Sequence, residues 1–384
     1  MPPTSIGIGL IGQKFMGRAH SNAWSQAPKF FDLKVGTRLA VVSARDATEL
    51  AAFAKRFGWE KSTTRWQSLA KNPAVHLVDI GTPNNMHAEQ ALTMLAAGKH
   101  VACEKPLART LAEARVMRDA AETAGKRVKT FVWHNYRRAP AIGLAWHLLR
   151  EGKLGRIFHV RARYLQSWGA ASTPMSWRYD ASKAGSGAHG DLNAHLVDLT
   201  RFLMGEPIVD VHGAVTPTFI LSRRSATGKG KEKCDVDDAA LFLATFAGGA
   251  TASFEATRLA EGHLNDNTIE INGEAGSLRW SLEDMNVLEW CDASDSPRLR
   301  GWRKIMATSA GNHPYAANWW PDGHITGYEH GFTNMAADVL RVLSGEKPEL
   351  PLPDFADAYE TCRVLEAALL SAKHRCAISL SDVL

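Results

Sequence analysis

At 384 residues the chain is longer than one hydrophobic core usually supports, so two domains are expected. Its 45 Lys and Arg against 40 Asp and Glu, with no block of like charge, argue against a nucleic-acid or membrane-surface partner. Five scattered cysteines (Cys103, Cys234, Cys291, Cys362, Cys376) without CxxC spacing argue against a disulfide framework and a zinc ribbon.

Along the first 130 or so residues, short apolar runs alternate with helix-period stretches. Ile6–Ile11, Leu39–Val42, Leu77–Ile80, His100–Cys103 and Val128–Val132 read as buried strands. Between them Leu50, Phe53, Ala54 and Phe57 form one helical stripe closed by Gly58. Ala88, Ala91, Leu92 and Leu95 form another closed by Gly98, and Leu111 to Ala124 a third before Gly125. This rhythm predicts an N-terminal doubly wound parallel sheet over residues 1–133. From 134 to 384 the rhythm changes. A helix at Ala141–Glu151, a strand at Arg156–Gln166 and a helix at Gly190–Met204 precede several strands from Pro207 to Thr308. Thr251, Ser253, Glu255 and Thr257 alternate with apolar neighbours, and two helices around Phe332–Leu343 and Ala358–Ala372 follow. The expectation is α+β, with helices on one face of a largely antiparallel open sheet that serves substrate binding and oligomerisation. Thr227–Lys233, rich in Gly and Lys, reads as a mobile loop. No basic segment leads into a long apolar run near the amino terminus, so a cytoplasmic protein with no signal peptide or spanning helix is expected.

Gly7-Ile8-Gly9-Leu10-Ile11-Gly12 has the GxGxxG pattern, placed between a strand and a helix, where backbone N–H groups and the helix dipole suit a dinucleotide pyrophosphate. A glycine-rich turn can also be purely structural. The second strand ends at Val42-Ser43-Ala44-Arg45-Asp46, with Ser43 or Ala44 where an acid would grip the adenosine ribose. Arg45 then leans the cofactor from NAD to NADP, unless it is a solvated residue and Asp46 a helix cap. Thr82-Pro83-Asn84 ends the next strand at the ligand-binding edge of such sheets, or is a plain turn.

Cys103-Glu104-Lys105-Pro106 lies at that same edge. Lys105 can stabilise the alkoxide that develops as a hydride leaves, although most lysines are only solvated. Asp191 and His195 stand four apart on a helix and can share a face. His195 suits proton transfer near neutral pH, or is a satisfied core histidine beside Leu192, Leu196 and Leu199; Asp191 equally suits a helix first turn. A metal held by His189, Asp191 and His195 lacks a fourth ligand and an HExxH pattern, and none is expected. Tyr136, Arg163, Gln166, Trp168 and Tyr328 offer rings and donors that suit a sugar, with plain packing as the alternative.

Taken in order, the opening Gly-rich turn, Glu104-Lys105-Pro106, Gly185-Ser186-Gly187 leading into Asp191 and His195, and Leu199–Gly205 resemble the Gfo/Idh/MocA oxidoreductase family over essentially the whole chain. The resemblance implies a catalytic set of Lys105, Asp191 and His195. It also implies substrate contacts from these three with Tyr136, Arg163, Gln166, Trp168 and Tyr328. On the cofactor side it implies Gly7, Gly9, Gly12, Phe15, Met16, Ser43, Ala44, Arg45, Thr82, Pro83, Asn84, His87, Glu104, Lys105, Trp177 and Arg178. Tyr164-Leu165-Gln166-Ser167-Trp168, Ser176-Trp177-Arg178, Asn135–Arg138 and Gly327-Tyr328 look closest to the family's pyranose dehydrogenases. The implied reaction is NAD(P)-dependent oxidation of a secondary hydroxyl, carbon 3 of a levoglucosan-like pyranose, by a homodimer or homotetramer built on the C-terminal sheet. The alternatives are inositol or glucose oxidation, NAD-dependent glycoside hydrolysis, or a dinucleotide-sensing regulator without catalysis.

Overall fold

The computed structural model describes residues 5–383, which form two compact units. The first comprises the chain up to Arg138 together with Ala317–Trp320 and Thr326–Tyr359; the second holds Ala139–Ala316, Pro321–Ile325 and the remainder from Glu360. The sequence places one cut between 133 and 134, whereas the first unit takes back these later segments.

In the first unit the order is β1 (Ser5–Ile11), α1 (Phe15–Phe30), β2 (Gly36–Ser43), α2 (Ala47–Phe57), β3 (Lys61–Thr63), β4 (Leu77–Ile80), α3 (His87–Ala96), β5 (His100–Cys103), α4 (Leu111–Ala124) and β6 (Thr130–Val132). The strands pair in parallel in the order β3-β2-β1-β4-β5-β6, the doubly wound arrangement expected from the alternation. All of β4, and β1 after Ser5, is buried, because helices cover both faces of such a sheet. Asp46 does cap α2, accepting the Glu49 N–H, and the helix stops at Gly58.

The second unit runs α5 (Pro140–Arg150), β7 (Ile157–Leu165), α6 (Ala181–Ala184), α7 (Ala194–Met204), β8 (Ile208–Val215), β9 (Ser222–Arg224), β10 (Lys231–Lys233), β11 (Ala239–Phe246), β12 (Thr251–Thr257), β13 (Asp266–Gly273), β14 (Gly276–Ser281), β15 (Val287–Asp292) and β16 (Arg303–Met306). After α8 (Tyr328–Leu343) and α9 (Phe355–His374), β17 (Ile378–Ser379) completes a nine-stranded sheet, β16-β15-β14-β13-β7-β12-β11-β8-β17. Its neighbours are antiparallel except β7 and β12. Ala252, Phe254 and Ala256 are buried while Thr251 and Glu255 are exposed, the alternation of a sheet covered on one side. Leu241, Leu243 and Val215 are exposed on the opposite face.

Two expectations are corrected. The 227–233 stretch is not simply a loop, since Lys231–Lys233 pairs antiparallel with Ser222–Arg224. Nor is Gly190–Met204 one regular helix. It begins with a π-helical turn, His189–Asn193, that leads into α7. The late helix α8 belongs to the first unit, where it packs on α1, with Phe332, Met335, Ala336, Val339 and Leu340 buried.

Candidate active site

The first unit carries a nucleotide-type turn, but not where the glycine pattern places it. Gly7 and Gly9 lie inside β1 and are pressed against the 69–75 segment. A Cβ on Gly7 would come within 1.9 Å of the Ala74 carbonyl oxygen, and one on Gly9 within 2.9 Å of Leu69 and Val75. Their lack of a side chain serves packing. The strand-to-helix turn is Gly12-Gln13-Lys14, and Gly12 adopts φ +124, where an added Cβ would also meet the Gly81 carbonyl oxygen at 2.6 Å. Gly17, five residues on, lets the first turn of α1 close over Gly12. The motif with structural meaning is therefore Gly12-x-Lys14-x-x-Gly17. No side chain caps α1 and its first turn holds no acid, while the Gln13 and Lys14 side chains of the turn before it both donate to Glu49 Oε2. These features fit a dinucleotide diphosphate. Gly12→Ala is expected to weaken NADH binding at least about tenfold, since strain at this φ falls on the turn itself; a fluorescence titration with unchanged affinity would count against the assignment.

Ser43 ends β2 and its carbonyl accepts the Gly12 N–H at 2.9 Å; Ala44 and the exposed Arg45 follow. Thr82, Pro83 and Asn84 follow β4, so this set shares the carboxyl edge of the sheet with Gly12. His87, fully buried, has Nε2 2.9 Å from the Thr82 carbonyl and Nδ1 3.1 Å from that of Pro106, and burial lowers its pKa. It pins the loop after β4 to the loop after β5 instead of presenting itself to a ligand.

Glu104 and Lys105 follow β5. Glu104 is buried, and its Oε2 accepts the Lys105 N–H at 3.0 Å while Oε1 lies 3.0 Å from His20 Nε2. His20 Nδ1 bonds Asp79 Oδ1 at 3.0 Å, and the indole N–H groups of Trp24 and Trp133 donate to Asp79 at 2.6 and 2.9 Å. Burial opposes a charge on His20, yet the Asp79 and Glu104 carboxylates outweigh it and raise its pKa to about 9. The imidazolium thus fixes, through Glu104, the backbone that carries Lys105. Within this unit Phe15 stacks on Tyr328 at 6.3 Å, and Tyr328 meets Tyr136 edge-on at 6.3 Å. Met16 lies beside Gly81.

In the second unit Asp191 sits in the π turn and His195 in the first turn of α7. The two therefore fall on either side of a change of helix type, not on one regular α-helix. Asp191 accepts from Arg258 Nη2 at 2.7 Å. His195 is buried, with the Tyr164 ring edge-on at 5.9 Å. From Tyr164 a polar chain runs along alternate residues. The Tyr164 hydroxyl and Gln166 Nε2 both donate to Asn265 Oδ1, at 2.7 and 2.8 Å, and Trp168 Nε1 donates to Gln166 Oε1 at 2.5 Å. Arg163 does not join them. It projects from the open face of β7, bonded to Thr268 and paired with Asp266. Trp177 and Arg178 occupy one 3-10 turn, the guanidinium 4.5 Å over the indole. His189 has Nε2 on the Leu365 carbonyl and Nδ1 on Asn193, and burial lowers its pKa. Among the described residues no group of three His, Cys, Asp or Glu is placed to hold a metal. Reading the residues singly missed Lys14, His20, Asp79, Asn265 and Arg258. Only Asp79 carries a signal, as an acid inside an apolar strand.

Residues 6–132 match the oxidoreductase family with the NAD-binding Rossmann fold, and residues 144–279 match the GFO/IDH/MocA C-terminal domain. The chain belongs to the Gfo/Idh/MocA oxidoreductase family. Among Gfo/Idh/MocA relatives, levoglucosan dehydrogenase of Pseudarthrobacter phenanthrenivorans is 40% identical over 96% of each chain. A solved oxidoreductase domain protein from Kribbella flavida superposes with a TM-score of 0.94 at 48% identity, covering 98% of this chain and 100% of that one. A levoglucosan dehydrogenase structure with NADH and L-sorbose gives 0.93 at 38%, covering 98% and 99%. Among the described residues no helix is long and apolar enough to cross a membrane.

Proposed function

We propose that this oxidoreductase oxidises a secondary hydroxyl of a pyranose, carbon 3 of a levoglucosan-like sugar, to the ketone. The observation that carries the reading is the second unit's pairing of His195 with the Tyr164-Gln166-Trp168 chain: a proton acceptor beside rings and amides suited to the apolar faces and hydroxyl edges of a sugar. The likeness to levoglucosan dehydrogenase supports it. The dinucleotide, held at Gly12 and the start of α1 with Ser43, Ala44, Arg45 and Thr82–Asn84 along the sheet edge, supplies the hydride acceptor. The His195 imidazole takes the hydroxyl proton as the carbon gives up its hydride. Asp191 orients that exchange, and Lys105 Nζ donates to the oxygen as negative charge builds on it. Tyr136 and Tyr328 add ring surface for the sugar, and Trp177 and Arg178 serve the cofactor.

Levoglucosan, D-glucose and myo-inositol, each offered with NAD and NADP, test this. The expected result is one reduced cofactor per sugar consumed, fastest with levoglucosan. Release of nitrophenol from a nitrophenyl glucoside added to the panel, without net cofactor reduction, would point to a hydrolase, and tight cofactor binding without turnover of any sugar to a sensor. Arg45, with no carboxylate at the end of β2, supports tolerance of the NADP 2′-phosphate. Arg45→Ala should lower kcat/KM for NADP about tenfold while changing that for NAD less than about twofold; equal changes would remove Arg45 from the cofactor's ribose end.

The open sheet face, with Leu243 54% and Val215 52% exposed, supports a homodimer or homotetramer. The free thiols of Cys103, Cys234, Cys291 and Cys376 support a cytoplasmic setting.

A further inference from the structure

We propose that Arg258 is a positioning residue that ties the Asp191 carboxylate to the Trp168 indole, so that one guanidinium sets both the proton-handling side and the apolar wall of the sugar subsite. This rests on the roles given above to Asp191 and Trp168.

Arg258 directly follows β12, and its side chain is only 3% exposed. Nη2 donates to Asp191 Oδ2 at 2.7 Å and to the Gly187 carbonyl at 3.1 Å, so one amino group spans the turn that presents Asp191. At the start of that turn Asp237 accepts the N–H groups of Gly187 and His189, both at 2.7 Å. The backbone is held by a carboxylate and the Asp191 side chain by a guanidinium. Asp191 itself stays 24% exposed, so the Arg258 bond fixes a carboxylate that solvent and ligands can reach.

The other edge of the guanidinium makes no such bond. Nε and Nη1 are buried with no acceptor among the described residues, and the plane lies 4.9 Å over the Trp168 ring and 5.9 Å over that of Tyr179. A flat cation against these faces orients the indole as well as contacting it. The backbone repeats the link: Gly169 N donates to the Arg258 carbonyl at 2.9 Å, and a Cβ on Gly169 would come within 2.6 Å of Arg258 Cβ. Beyond it Arg223 secures the rest of the loop, donating to the Gly169 and Ala170 carbonyls at 2.7 Å each.

Steady-state kinetics of R258M, D191N and the double variant with NAD and levoglucosan, or the panel sugar oxidised fastest, test the coupling. R258M is expected to lower kcat about ten- to a hundredfold, the usual effect of a small misplacement. The sugar KM should rise several-fold and the NAD KM stay within about twofold, because the cofactor turn is untouched. In the D191N background R258M should lower kcat less than about threefold, because the group it orients is already disabled. R258K, a charge without the fork or flat face, should recover most of kcat and leave the sugar KM high. Equal fractional losses in wild-type and D191N backgrounds, or an NAD KM raised as far as the sugar KM, would overturn the proposal. Wild-type turnover by D191N would overturn the reading of Asp191 and the proposal with it. R258K carries the same cycle should R258M fail to bind NADH.

Discussion

Lys105→Ala is expected to cut turnover by at least about 10³-fold, while NADH binding stays within a few-fold of the wild type. Loss of one preorganised donor to a developing oxyanion costs about 10²–10³ in rate, and the ammonium adds charge to that donor. Proton transfer slows as well, because without the cation the alkoxide left when His195 takes the hydroxyl proton is less stable. The cofactor turn should be indifferent, since Gly12 and the start of α1 follow β1 whereas Lys105 comes from the loop after β5. Stopped-flow or initial-rate assays beside an NADH titration separate the two. Parallel loss of turnover and NADH affinity would recast Lys105 as part of the cofactor seat.

His20→Leu should carry the largest stability effect, about 3–5 kcal/mol near neutral pH, because it leaves Asp79 and Glu104 buried without their cation. The pH dependence follows from the pKa raised from 6.5 to about 9 in the folded chain. The folded state binds the His20 proton more tightly than the unfolded state does, so the contribution is complete below about pH 6.5. It shrinks as the pH climbs and is gone above about 9, a change on the order of 3 kcal/mol. Urea unfolding of wild type and H20L at pH 6, 7.5 and 9 checks this. The gap between them should narrow over that interval, and a constant gap would show that His20 does not titrate there.

The type of both sheets was legible because buried parallel strands read as apolar runs and half-covered strands alternate. Helix stops at Gly58 and Gly125 were legible for a similarly local reason. What was not legible depends on distance or on exact register. Gly7 and Gly9 satisfy a spacing pattern although the strand read over Ile6–Ile11 already contains both, and only the fold shows that they pack on the 69–75 segment while the turn is Gly12–Lys14. The π turn before α7 has no sequence period of its own. Arg258 stands 67 positions from Asp191, and nothing in a single sequence pairs them. The reading of Arg163 failed on parity: it is one residue from Tyr164 and so faces the other side of β7. The apolar stripe of α8 announced a buried helix but not whose core it would enter.

That last point bears on how the molecule can be cut and recombined. Arg138 and Asp338, both fully buried, form an ion pair at 3.1 Å, and Phe332 packs on His20 and Trp133. A fragment ending at 138 would bare these rings and strand a guanidinium in an apolar setting, so it should aggregate when expressed alone. Chimaeras that exchange the dinucleotide module with a relative therefore need crossovers at both flanks of the late helix as well as after 138, and swaps drawn at a single junction should yield insoluble hybrids.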